Sequence, residues 1–358
     1  MKTVPIKKFN LCLAAVFYLI LSGWGAAAAP EKFTRTISKQ YDVNSDALLS
    51  VTNKFGKIHI ENWDKKVVSI DVTITVEARS EEKANRIFDD IRIDISGTSS
   101  RVEAQTEISD RLSGGGNGAE FSIDYMISMP SSLQVSLENK FGDIYLDQVD
   151  GPATVDLGYG NLEAKSFGNG DNDLTIKFST TTLDHIKGGE IDIKYSTLNL
   201  GDAGELTIES KFSTMNLESL NEGNIESKYD NYSIKKINAI DSESGFTSFT
   251  IGTLTQRGKM ETQYGGIEID FIPSGFGEVI VTNSFGDVDL TFAGDASFRV
   301  DASMKFGSLH YPRDLSDIKT TEEGYTSTSY VGTIGKQSNP EAMVHIESQN
   351  ASASIKLK

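Results

Sequence analysis

Cysteine is nearly absent. The 358-residue chain holds one, Cys12, inside the apolar run Leu11 to Leu21. Lys2, Lys7 and Lys8 precede that run, and Gly25-Ala26-Ala27-Ala28-Ala29-Pro30 follows it. A basic start, a short apolar centre and small residues form a secretory signal peptide, expected to span residues 1–28. Leu11 stands before Cys12, where a lipoprotein signal wants a small residue. The mature chain then has no cysteine, which suits an exported protein without disulfides. It also excludes a thiol nucleophile and a thiolate metal site.

No other run is long and apolar enough to span a membrane as a helix. The expected address is therefore the periplasm, the cell surface or the exterior. Basic charge is also scarce, with 34 Lys and Arg against 51 Asp and Glu, a net −17. The leader carries three lysines and no acid, so its loss gives −17 − 3 = −20. That balance disfavours nucleic acid and anionic lipid. It is compatible with solubility, with cations or with a basic partner.

Histidine is scarce too: His59, His185, His310 and His345. None has an i, i+4 histidine or a nearby cysteine to build a metal site. There is no Gly-x-Ser-x-Gly elbow and no Walker loop. The Ser113-Gly114-Gly115-Gly116-Asn117-Gly118 stretch lacks the lysine of a phosphate loop and reads as a hairpin tip. No cofactor and no metal are expected.

What is present is a repeated phrase. Lys211-Phe212-Ser213-Thr214-Met215-Asn216-Leu217 follows Lys194-Tyr195-Ser196-Thr197-Leu198-Asn199-Leu200 by seventeen residues. The aromatic recurs at Phe141, Tyr159, Phe178, Tyr195, Phe212, Tyr229, Phe246, Tyr264, Phe285 and Phe306. The gaps are 18, 19, 17, 17, 17, 17, 18, 21 and 21, and Phe55 is an outlying member. Apolar residues recur four and six before the aromatics, as Leu206 and Ile208 do. Another pair stands three and five after it, as Met215 and Leu217 do.

Residues two apart in a strand share a face. Positions −6, −4 and 0 therefore share one face, and +3 and +5 have flipped parity. A corner at +1 and +2, filled by Gly142-Asp143 or Ser213-Thr214, is expected to turn both sets into one core. The aromatics are then a buried ladder, with Phe212→Ala costing roughly 3–5 kcal/mol. Stacked coils of this kind form an all-β, parallel β-solenoid (β-helix) with roughly 17–21 residues per coil.

The division expected is a leader at 1–28, an N-terminal coil with a β/α excursion at 29–131, and the solenoid at 132–310. A loop or hairpin and a capping coil follow at 311–358. The excursion carries a strand at 67–76, one helix from Glu81 to Asp90 capped by Ser80, and strands at 101–108 and 120–129. In the last coil Ser352 takes the place of the aromatic.

Lysine precedes the aromatic at 54, 140, 177, 194, 211, 228 and 305, and acids stand at position −3 as Glu138, Asp156, Asp192, Glu209, Glu226, Glu243 and Glu261. Lys177, Lys194, Lys211 and Lys228 should form a basic line, relieved by the acidic line beside it. Position +4 faces outward as well and is small and polar at Asn199 and Asn216. These six residues are the candidate interaction ladder, for a charged polymer or for sugars. A solvated surface that fixes register is the plainer reading. Asp143 with Asp147, and Asp287 with Asp289, could bind Ca²⁺ or act as paired carboxylates of a carbohydrate-active enzyme. Asp143 and Asp287 occupy corner positions, where turn chemistry comes first.

The phrases Asn139-Lys140-Phe141-Gly142-Asp143-Ile144-Tyr145-Leu146 and Ser284-Phe285-Gly286-Asp287-Val288-Asp289-Leu290 resemble a bacterial β-solenoid family of candidate adhesins. The family, sometimes called head-GIN type, is common in Bacteroidetes. The resemblance covers about residues 35–357. It implies an exported protein and no defined functional residues. The long regular surface without a catalytic constellation points to a non-enzymatic surface protein with glycan or envelope-protein partners. A purely structural or envelope-stress component is a further possibility.

Overall fold

The computed structural model describes residues 29–113, 120–323 and 325–358. The leader and most of the glycine-rich stretch lie outside them. The chain is all-β, one 26-stranded sheet of mostly parallel strands. Among the described residues helix is confined to Glu81–Phe88, Asp110–Ser113 and a single 3-10 turn at Arg313–Leu315. Ser80 caps the first of these by accepting from the Lys83 N–H at 3.4 Å.

The middle of the chain shows the repeat most plainly. Strands Thr180–Lys194, Thr197–Lys211, Thr214–Lys228, Asn231–Gly245 and Ser248–Gln263 pair in parallel, each one coil on from the last. Thr197 pairs with Thr214 and Lys194 with Lys211. Each coil thus repeats its neighbour residue for residue, apart from one register shift after Ile237. The expected pairs at −6, −4, +3 and +5 all point inward: Leu206, Ile208, Met215 and Leu217 are buried, as is Leu220 at +8. They belong to one continuous apolar core running the length of the stack.

The aromatic ladder is not in that core. From Phe141 to Phe306 the rings are 42–57% exposed. The cause is the backbone at position zero. All eleven aromatics have φ between +52° and +62°, the left-handed region. An extended residue there would keep the parity of −6 and −4 and point inward. A left-handed residue breaks the alternation and swings its side chain out. The flip therefore occurs at the aromatic itself, one residue before the expected corner. Positions −2 and +1 turn inward instead, at Ser210 and Ser213 or Asn139 and Gly142.

The two ends of the stack depart from chain order. Leu48–Lys54 pairs directly with Gln134–Lys140, and Ile58–Asn62 with Ile144–Val149. The Phe55 and Phe141 coils are neighbours in space, although 86 residues separate them. The intervening segment closes the stack. Its strands Arg101–Ile108 and Glu120–Met129 lie in parallel on the outer side of the Phe55 coil. At the other end Met343–Gln349 pairs with both Glu278–Ser284 and Phe298–Lys305. The last coil in sequence is inserted between the Phe285 and Phe306 coils. Asn350, with φ +56°, holds the aromatic's place, and Ser352 stands at +2. The Phe285 N–H donates to Gln349 O and the Asn350 N–H to Lys305 O, which fixes that order. A hairpin of Ser316–Glu323 and Ser327–Ile334 then covers Phe298–Lys305.

Candidate functional site

The corner of the coil places eleven aromatics on one edge of the stack. Ten of them, Phe55 to Phe285, form an unbroken column. Centroids are 4.7–5.2 Å apart and neighbouring planes lie within 14° of parallel. At the ~4.8 Å strand spacing the column is roughly 43 Å long. Carbon surfaces touch at about 3.5–4.0 Å, so rings at this spacing must slip and tilt against the column axis. Each ring gives its faces to its neighbours and its edge to the outside.

A left-handed aromatic costs about 1–2 kcal/mol in backbone terms. Stacking with a neighbour is worth about 0.5–1.5 kcal/mol per pair. Each interior ring stacks on two others, so the column offsets its own strain. Phe121 closes one end, edge-on to Phe55 at 5.4 Å. Asn350 interrupts the other end, between Phe285 and Phe306.

Two polar rows flank the column. On one side the candidate lysines stand in register, Lys177 opposite Lys194, Lys194 opposite Lys211, Lys211 opposite Lys228. The acids two residues earlier neutralise part of that line: Lys194 pairs with Asp192 at 2.8 Å and Lys140 with Glu138 at 2.7 Å. Lys211 lies over the Phe212 ring at 5.6 Å. On the other side, position +2 carries Asp143, Asn161, Thr180, Thr197 and Thr214. These residues and the rings from Tyr159 to Phe212 line a shallow groove of about 670 Å³. Asn199 and Asn216 lie farther round, on the strand after the corner, bonded to each other at 2.9 Å. The candidate lysines and asparagines are thus on opposite sides of the column, and neither set lines the groove.

The paired aspartates are engaged within the stack. Asp143 accepts from the Asn161 backbone N–H at 2.8 Å and its side-chain amide at 3.0 Å. Asp287 accepts from the Ser352 N–H at 3.2 Å. Asp147 and Asp289 each bind a lysine, Lys165 at 2.5 Å and Lys356 at 2.9 Å. The Lys165 ammonium, foremost, holds the Asp147 carboxyl below its ordinary range, assisted by the Asn62 N–H. Among the described residues no group of three or more His, Cys, Asp or Glu is placed to hold a metal.

One buried charge escaped notice in the sequence. Asp230 is 2% exposed and stands at +1, where the neighbouring coils turn Ser213 and Thr247 inward. It accepts from the Ser213 N–H at 2.5 Å, from Ser210 Oγ and Ser227 Oγ, both at 2.7 Å, and from the Lys228 N–H at 3.1 Å. Tyr232 stacks on Phe249 inside the coil, and burial raises its phenol well above the usual value. These contacts tie three coils together and are out of reach of a ligand.

No protein-family model and no curated protein matches the chain. Among solved structures it is similar to bacterial candidate adhesins. One is a candidate cell adhesion protein from Clostridium sporogenes, at 10% identity over 92% of this chain and 100% of that one, TM-score 0.21. Another is a candidate adhesin from Parabacteroides merdae, at 14% identity over 71% and 95%, TM-score 0.29. A third, from Parabacteroides distasonis, is described as a candidate lipid-binding protein, at 7% identity over 89% and 96%, TM-score 0.27. Those descriptions belong to those proteins, and scores this low transfer no role. No helix among the described residues is long and apolar enough to cross a membrane.

Proposed function

We propose that this chain is an exported, non-enzymatic β-solenoid that works as a surface interaction protein, with the aromatic corner as its binding strip. The observation that carries the reading is the column of ten rings, nine of them half exposed, along an edge of roughly 43 Å. Soluble proteins rarely leave a continuous apolar strip uncovered, and one with polar borders marks an interaction site. The strip is long, straight and repetitive, so the ligand it suits is extended and repetitive as well. Its regular register also keeps it rigid, which limits the ordering cost of binding.

Export rests on the leader, and the non-enzymatic reading on the engagement of Asp143 and Asp287 in the corners. The lysine line Lys177, Lys194, Lys211 and Lys228 is a border of the strip, and Lys194 in it is paired with its own acid, Asp192. The asparagine pair Asn199 and Asn216 is a polar ladder of the adjoining face.

The test is binding of the chain without its leader, residues 29–358, to intact bacterial cells, isolated envelope and polysaccharides. Phe178→Asn with Phe212→Asn removes two rings while keeping residues suited to left-handed backbone, as Asn350 already does. The expected result is retention of wild type and at least about tenfold weaker retention of the double variant, the ~1.4 kcal/mol that two edge contacts can supply. Failure of wild type to bind any of these materials at micromolar concentration would overturn the reading.

A further inference from the structure

The column alternates. From Phe141 to Phe285 the rings run Phe, Tyr, Phe, Tyr without exception over nine positions. Stacking does not require this, because ring spacing is the same throughout. Nor is it the trace of a duplicated two-coil unit. Apart from the ring, the Phe212 phrase is as close to the Tyr195 phrase one coil away, with Lys, Ser, Thr, Asn and Leu in common, as to the Phe178 phrase two coils away, with Lys, Ser, Thr and Leu. Each tyrosine places a hydroxyl at the exposed edge. None of the hydroxyls of Tyr159, Tyr195, Tyr229 and Tyr264 bonds to another described residue. The strip therefore offers a free hydroxyl at every second coil, about 10 Å apart on a ~4.8 Å strand spacing.

The groove beside the rings is uncharged along its central part. Asn161, Thr180, Thr197 and Thr214 supply amide and hydroxyl groups, and the one carboxylate, Asp143, is occupied by Asn161. A polycation would meet the lysine row that borders the rings, and a charged control separates an uncharged chain from a polyanion. The rings show edges, which carry the positive side of the aromatic quadrupole and favour oxygen lone pairs over a flat apolar face.

We propose that the ligand of the strip is a linear, uncharged polysaccharide lying along the stack, in register with pairs of coils. The proposal rests on the reading of the aromatic corner as the binding strip and names its ligand. A β-1,4-linked chain turns over at each sugar and presents the same hydroxyls to one side at every second unit. The tyrosine hydroxyls have the matching two-coil period. The threonine and asparagine row receives the other edge of the chain, and the ring edges receive its oxygens.

The experiment measures affinity of the leaderless chain for uncharged β-1,4-linked oligosaccharides of increasing length, with polygalacturonate as the charged control. Affinity is expected to climb in steps of two sugars. Tyr195→Phe with Tyr229→Phe keeps every ring and both stacks. It should weaken binding about tenfold, the worth of two modest hydrogen bonds, with unchanged Tm. Equal or tighter binding of polygalacturonate, or an unchanged affinity in the tyrosine variant, overturns the proposal. So does self-association of the chain that the tyrosine variant abolishes, since a second copy is then the occupant. If cells or envelope are bound through Phe178 and Phe212 but uncharged glycans are not, this inference falls and the binding strip stands. If nothing is bound, both fall.

Discussion

At Phe141 the chain turns its corner on Asn139 and Gly142; at Phe212 it turns on Ser210 and Ser213. In the first kind of corner, found also at Phe55 and Phe285, the inward +1 residue is glycine and −2 is asparagine. The asparagine amide satisfies corner carbonyls: Asn139 Nδ2 donates to Gly56 O at 2.8 Å and to Asp143 O at 3.0 Å. In the second kind, from Phe178 to Phe246, the +1 side chain is the connector. The Ser179 N–H donates to Ser196 Oγ at 3.0 Å, and the Ser196 N–H to Ser213 Oγ at 3.3 Å. The coil path is the same and the buried polar groups are satisfied from opposite directions. Either solution meets the rule that buried backbone groups must be paired. What differs is tolerance. The glycine corners leave no room for a side chain, and the serine corners depend on one.

The largest expected effect exploits that difference. A Cβ at Gly142 would stand 1.9 Å from Gly56 O, a backbone atom that cannot yield without moving the neighbouring coil. Gly142→Ala should cost about 3 kcal/mol or more in denaturant unfolding. Ser196→Ala, in the other kind of corner, loses one hydrogen bond and should cost about 1–2 kcal/mol. Equal losses would mean that the two corners are one structure with interchangeable residues.

Asp230 is a sharper probe of the serine corners. Asp230→Ala strands the Ser213 and Lys228 N–H groups, leaves Ser210 and Ser227 only their Tyr232 and Thr247 hydroxyl partners, and should cost about 2–3 kcal/mol. Asp230→Ser restores the connector used at Ser196 and Ser213 and should recover part of that loss. If serine is no better than alanine, the +1 ladder does not work by connection.

Much of this was legible in the sequence, and the main failure has one cause. The repeat, the inward pairs at −6, −4, +3 and +5, the helix at Glu81 and the strands at 101–108 and 120–129 follow from periodicity. The facing of the aromatics did not. Parity arguments assume extended backbone at every step, and a single left-handed residue reverses every later assignment. The polar residues at −2, Asn53, Asn139, Ser210 and Asn283, were the available signal, since an inward corner needs groups that can satisfy carbonyls. Asn350 was another, because asparagine is the residue after glycine that best tolerates left-handed backbone. The insertion of the last coil between the Phe285 and Phe306 coils left no local mark. Its strands carry the same alternation wherever they pair.

The ring column itself has an unusual expected signature. Phe212 is exposed, so the cost of its truncation is set by two stacks and not by burial. Phe212→Ala should cost about 1–3 kcal/mol, from two pairs of about 0.5–1.5 each, and alanine keeps the left-handed strain. Phe212→Gly loses the same stacks but removes that strain, worth about 1–2 kcal/mol. Glycine should therefore be the milder substitution, the reverse of the order in a strand interior. The comparison needs only the two midpoints in urea. Alanine milder than glycine would show that the backbone at 212 is not under strain.

The smallest effect compares the two kinds of coil through one exposed pair. Position +6 carries Asp147 and Lys165 beside the glycine corners, and Glu218 and Lys235, at 2.6 Å, beside the serine corners. Only Asp147 has a second donor, the Asn62 N–H at 3.4 Å from the neighbouring Phe55 coil. Its carboxyl is held below the ordinary value of 3.8, first by Lys165 and then by that N–H. A depressed carboxyl binds fewer protons folded than unfolded, so the stability it adds is present above the unfolded pKa. It is lost as pH falls through the folded one. Asp147→Asn should thus lower Tm slightly at pH 7, and the gap to wild type should close on titration below pH 3.8. Added salt should narrow the gap at neutral pH, because an exposed pair is screened. A gap that persists at pH 2 would assign the role of Asp147 to hydrogen bonding that the neutral side chain can also make.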